Sequence, residues 1–116
     1  MPSLLDKYNW SEWLNFPDPR KAGYLIAPFG LGLYQLKDIK SNKFILFGIG
    51  KNCSLRMTSL LPKPYGQGVR NNSLKRDYLL KNISNIQYRT IAFVTENEMK
   101  ETEREIKEMK IHRFNT

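Results

Sequence analysis

The sequence is poor in residues that build covalent or metal staples. Its 116 residues include one cysteine, Cys53, and one histidine, His112. No disulfide framework and no multi-ligand zinc site can be assembled from them. Long apolar runs are missing too. The longest uncharged stretch, residues 22–36, contains a proline and three glycines and is too short to span a bilayer. Residues 1–6 lack a basic segment followed by an apolar core, so no secretory signal is read. Without secretion, the glycosylation-like triplets beginning at Asn71 and Asn82 carry no meaning. A cytoplasmic protein with no membrane partner is expected.

Acidic residues are in short supply. Asp and Glu number 11 against 19 Lys and Arg, which leaves a net charge of +8. Such a surface attracts polyanions, and nucleic acid is the commonest of these. The length suits one domain that can bury a core without staples.

Along the chain, residues 1–30 read as an arm. Ser3 and Asp6 are spaced as a capping box for a short helix. Trp10, Trp13, Leu14 and Phe16 are too apolar to be left in water, so the arm packs on the body or on another subunit. Pro17 and Pro19 break it. Residues 24–26 read as a brief edge strand ended by Pro28. Residues 31–37 form a strand, and Asp38 opens a polar turn. Residues 44–49 are a near-continuous apolar run, the pattern of a strand covered on both faces. The two runs suggest an antiparallel hairpin.

Asn52 or Ser54 can cap a helix that runs to residue 61 and stops at Pro62. Residues 62–73 form a Pro-, Gly- and Asn-rich loop carrying Lys63, Tyr65 and Arg70, and loops of that length are often functional. A second helix follows to residue 82, with Lys75 and Arg76 in its first turns. Residues 86–94 form a third strand rich in β-branched and aromatic side chains. Thr95 and Glu98 are spaced as a capping box for a last helix over residues 96–110. The order is strand, strand, helix, helix, strand, helix, with no repeat or linker dividing it.

Six glutamates crowd the last helix: Glu96, Glu98, Glu101, Glu103, Glu105 and Glu108. Met99, Thr102, Ile106 and Met109 make its apolar stripe. Glu101 and Glu108 point away from the stripe. Glu103 and Glu105 border it on opposite sides, and either could reach the sheet. Most of these carboxylates read as solvated partners of lysines four residues on.

The segment from Gly48 to Lys51 invites a nucleotide-loop reading, which fails. A P-loop needs glycine where Ile45 stands and Ser or Thr where Asn52 stands. The dinucleotide fingerprint needs a third glycine where Cys53 stands. Cys53 has no neighbouring base in sequence and reads as a buried thiol. His112 reads as a helix-end residue favoured by the helix dipole.

Taken together, Gly32-Leu33-Tyr34, then Gly48-Ile49-Gly50-Lys51, Arg56, Glu103 and Asn115 resemble the GIY-YIG nuclease family. The resemblance covers residues 31–116 and leaves residues 1–30 outside as the arm. It implies an α+β fold, with a small central three-stranded antiparallel sheet flanked by helices. By the same resemblance Tyr34 closes the first half of the motif and Gly50 the second, with Lys51 as the basic residue after it. Arg56 contacts the scissile phosphate, Glu103 holds a divalent metal ion, and Asn115 follows an aromatic residue near the domain's end. The separation of Glu103 from Asn115 favours Glu103 over Glu105.

The implied chemistry is Mg²⁺- or Mn²⁺-assisted hydrolysis of DNA. A tyrosine of lowered pKa takes the proton from the attacking water. Lys63, Tyr65, Arg70, Lys75 and Arg76 hold the nucleic acid backbone. The chain departs from the pattern at Gly48, where the family carries a second tyrosine. The base role then falls to Tyr34, or to Tyr65 brought in by its loop. The step from Gly50 to Arg56 is also about two residues short, which shortens the helix start, and Leu60 stands near the place of a later tyrosine. Two other readings follow: a nucleic-acid-binding module that has lost catalysis, and an interaction protein, such as a homodimer, joined through the aromatic arm.

Overall fold

The fold is organised around one central strand. The computed structural model describes residues 4–18, 25–58, 60 and 73–114. Strand β2 (Gly32–Asp38) pairs antiparallel with β3 (Lys43–Gly50) on one side and with β4 (Ile86–Ala92) on the other. Its residues are buried along almost its whole length, because both neighbours and both faces are covered. Tyr34 therefore faces Gly48 across one ladder and Thr90 across the other.

The sheet has four strands rather than the expected three, in the order β1-β4-β2-β3. The extra strand, β1 (Leu14–Asn15), comes from the arm and pairs with β4. The bonds around it show why so short a strand forms. Ser11 N–H donates to the Thr90 carbonyl at 2.8 Å, Thr90 N–H donates to Ser11 Oγ at 2.9 Å, and Phe16 N–H donates to the Ile86 carbonyl at 2.9 Å. The outer edge of β4 would otherwise leave these groups to solvent. Residues 25 and 26 form no strand. Tyr88 pins them instead, its hydroxyl accepting from Ile26 N–H at 2.8 Å and donating to the Ile26 carbonyl.

The helices fill both faces. Helix α1 (Cys53–Thr58) is capped by Asn52, whose Oδ1 accepts from Leu55 N–H at 3.0 Å, and it ends short of residue 61. Helix α2 (Ser73–Lys81) follows. These two cover the face that holds Tyr34, Leu36, Leu46 and Tyr88, together with Met57, Leu79 and Ile83. Helix α3 (Glu96–Met109) covers the other face with Leu5 of the arm, against Leu33, Phe47 and Ile91. Thr95 caps α3 by accepting from Glu98 N–H at 3.3 Å, and Lys110 ends it with a left-handed φ of 53°. Ile106 is wholly buried, and such a side chain contributes about 1.5–3 kcal/mol relative to exposure.

A bulge near the start of β3 leaves Ile45 without a partner in β2. Ile45 and Leu46 consequently both enter the core under α2. The chain after α3 runs beside that bulge: Phe114 N–H donates to the Ile45 carbonyl at 2.8 Å and Arg113 N–H to the Phe44 carbonyl at 3.1 Å. This tail covers part of an edge that would otherwise stay unpaired. Among the described residues, no helix is long and apolar enough to cross a membrane.

Candidate active site

At one end of the sheet β2 begins while β3 and β4 finish, with Gly32 opposite both Gly50 and Ala92. Helix α1 docks there. Cys53 N–H donates to the Gly30 carbonyl at 2.9 Å and Ser54 N–H to the Pro28 carbonyl at 2.8 Å. Glycine makes the close approach possible. A Cβ on Gly50 would stand 2.8 Å from Arg56 Cβ. The glycine thus sets Arg56, on an exposed turn of α1, against the end of the sheet.

Gly48 has a different role. The Tyr34 ring crosses over it from the neighbouring strand, and a Cβ at Gly48 would stand 2.6 Å from Tyr34 Cζ. The glycine at this position therefore has a steric reason. The space above residue 48 is already filled by the Tyr34 ring, so a second tyrosine cannot be added without displacing the first.

Tyr34 is almost fully buried. Burial pushes its phenol up to about 12; Arg56 opposes the rise, and Cys53 and Glu103 add to it. The chain's own groups thus raise the phenol rather than lower it, and at neutral pH it keeps its proton. Of the other expected groups, Arg56 and, more weakly, Glu103 bear electrostatically on the Tyr34 phenol.

The two border glutamates of α3 serve different surroundings. Glu105 accepts from the Tyr8 hydroxyl at 2.7 Å and lies 3.7 Å from Lys7 Nζ, so it fastens the arm. The bond from Tyr8 holds the Glu105 carboxyl below its usual range. Glu103 is half-buried and acts on Tyr34. Lys51 is exposed beyond the end of β3 and helps to lower the Glu96 carboxyl, for which the bond from Lys100 is the larger cause.

The donors available for a metal are few. No group of three or more His, Cys, Asp or Glu side chains is gathered among the described residues. One half-exposed carboxylate, Glu103, fits a hard cation that keeps most of its waters and takes further oxygens from a substrate phosphate. It does not fit zinc, which needs three or four protein ligands.

Asn115, Lys63, Tyr65 and Arg70 lie outside the described residues. Lys75 and Arg76 fall in the first turns of α2. Cys53 is fully buried and burial pushes its thiol up to about 12, which suits the buried-thiol reading.

His112 is not a dipole-stabilised helix-end cation. It is buried beyond the end of α3 against Phe44 and Phe47, and burial pushes it down to about 4. Sequence reasoning also missed its partners. Arg89 Nε donates to Gln35 Oε1 at 2.8 Å, which turns the Gln35 amide nitrogen toward His112 Nε2 at 3.0 Å. His112 Nε2 must then accept, so its proton sits on Nδ1, which is buried without a partner. Arg89 lies 4.0 Å from the Trp10 ring and 4.4 Å from the Trp13 ring. The available signal was Gln35 itself, a polar residue inside an apolar strand.

Compared with protein-family models, curated proteins and solved structures, the chain matches none of them.

Proposed function

We propose that the chain is a metal-assisted endonuclease that hydrolyses phosphodiester bonds in DNA, as its resemblance to the GIY-YIG nucleases suggests. The observation that carries this reading is the packing of Arg56 against Gly50, two residues along β3 from the Gly48 that the Tyr34 ring crosses, with Glu103 also bearing on that phenol, in a chain of net charge +8. Arg56 would neutralise charge growing on the phosphate. Glu103 would hold the divalent cation, which when bound supplies charge neutralisation and a more acidic water. Tyr34, protonated at neutral pH, would donate the hydrogen bond that orients the attacking water or a phosphate oxygen. With the Glu103 charge neutralised, Arg56 is the charge left acting on the phenol, and it favours the ionised form. Lys51 stands beside this group and would meet the flanking backbone.

The test is nicking of supercoiled plasmid with Mg²⁺ or Mn²⁺, beside a Glu103→Ala control and a chelator control. Nicking that disappears in both controls supports the reading. Equal nicking by both proteins, or by neither, sinks the hydrolytic claim.

A second reading is favoured by Gly48 and the high pKa of Tyr34: a nucleic-acid-binding module without catalysis. It expects DNA binding that weakens steeply with salt and ignores metal. Affinity indifferent to salt counts against it.

A further inference from the structure

The far end of the same edge strand carries a second basic feature that the proposed site does not use. Where β3 begins, a cleft of about 570 Å³ is lined by Lys43, Phe44, Tyr78, Lys110, His112 and Arg113 among others, and none of its described lining residues is acidic. Lys43, Lys110 and Arg113 are all exposed. The Arg113 guanidinium is not loose: it stacks on Tyr78 at 4.8 Å and on Phe114 at 5.6 Å. Its backbone N–H is fixed on the Phe44 carbonyl.

Asp38 lies against the Tyr78 wall of the cleft and is already hydrogen-bonded. Its carboxylate accepts from the Tyr78 hydroxyl at 2.7 Å and from the N–H groups of Lys40 and Ser41 at 2.9 and 3.4 Å. These bonds keep Asp38 ionised and fix Tyr78 and the turn; its single charge leaves the three cations in excess. The cleft is therefore a cationic concavity with aromatic walls, shaped for an anion that carries substituents.

We infer that this cleft binds a backbone phosphate of the same duplex whose backbone meets Arg56. The inference rests on the nucleic-acid reading above and not on catalysis. Lys43 opens β3 and Gly50, packed against Arg56, closes it. Seven strand steps separate them, about 23 Å at about 3.3 Å per residue. A duplex rises 3.4 Å along its axis per base pair, so the two contacts are about seven base pairs apart along the axis. The protein would grip the duplex backbone at two places, one at each end of β3.

The test uses the full chain without metal, so that binding is read apart from cleavage. Fluorescence anisotropy with a labelled 20-base-pair duplex is measured across a salt series. The subject is Lys43→Gln/Lys110→Gln/Arg113→Gln. The control is Lys7→Gln/Lys100→Gln, whose amines already face Glu105 and Glu96. Losing two or three phosphate contacts lowers the logarithmic salt slope by about 2 to 3 and weakens low-salt binding at least about tenfold. The control should keep the wild-type slope. An unchanged slope in the cleft variant overturns the inference while leaving nicking intact. Equal losses in both variants also overturn it, since only net charge would then be at work. A mononucleotide or inorganic phosphate that binds as tightly as the duplex overturns it by making the cleft a small-molecule pocket. If the wild-type plasmid assay shows no nicking but the cleft variant still loses duplex binding, the hydrolytic reading falls and this one stands.

Discussion

The two ends of the β2–β3 hairpin handle polar groups in opposite ways. At the Asp38 end most are paired and settled, the buried His112 Nδ1 being an exception. The Asp38 carboxylate takes three donors. Gln35, wholly buried, joins His112 to Arg89. At the Gly50 end glycines make room for Arg56 and for the Tyr34 ring, and Arg56 and Glu103 bear electrostatically on that buried phenol. A fold can absorb polar groups by pairing them, or keep them poised by crowding them at the end of a sheet. The second arrangement costs stability and is where chemistry is expected.

The largest expected effect lies at the settled end. His112 has a folded pKa of about 4 against an ordinary value of about 6.5. A depressed value means that the unfolded chain binds the proton more readily. Stability is then complete above about pH 6.5 and falls as pH drops toward 4, by up to about 3 kcal/mol. Denaturant unfolding at a series of pH values should show this slope, and His112→Phe should remove it between pH 6.5 and about 4.5. A slope kept in the variant would place its origin elsewhere.

At the other end, Gly48→Ala should cost about 1–3 kcal/mol, because the added methyl meets the Tyr34 ring. The loss should shrink by at least about 1 kcal/mol in a Tyr34→Ala background, where the ring is gone. An equal loss in both backgrounds would separate Gly48 from Tyr34. The smallest effect belongs to Glu105→Ala, which releases a half-exposed contact with Tyr8 and Lys7. It should leave the denaturant midpoint of unfolding almost unmoved, as exposed ion pairs do, and leave nicking unchanged.

The regular parts of the fold were legible because they follow simple periods. The apolar run at 44–49 lies on β3, the β-branched run expected over 86–94 forms β4 as far as Ala92, and Thr95 caps α3 as its spacing indicates. β1 was not legible, since two residues carry no period, and neither was the tail laid along Ile45 and Leu46. Both are pairings of edges, which depend on where a strand sits in the sheet. Within the site, periodicity left Glu103 and Glu105 equivalent because both border the same stripe. Only the arm distinguishes them, through a hydrogen bond between residues 97 positions apart. The meaning of Gly48 was hidden for a similar reason: the ring that fills its space comes from another strand. His112 was misread because three residues beyond a helix looked like surface, whereas the chain turns back there into the core.

The central claim is that Arg56 and Glu103 serve one site around Tyr34. The direct measurement is the plasmid nicking rate of Arg56→Ala, Glu103→Ala and the double variant, each checked for intact folding. Each single change should lower the rate by about 10²–10³. Groups that act as a unit are non-additive, so the double variant should be no slower than the worse single one. A wild-type rate in either single variant, or losses that multiply in the double, would contradict a shared site.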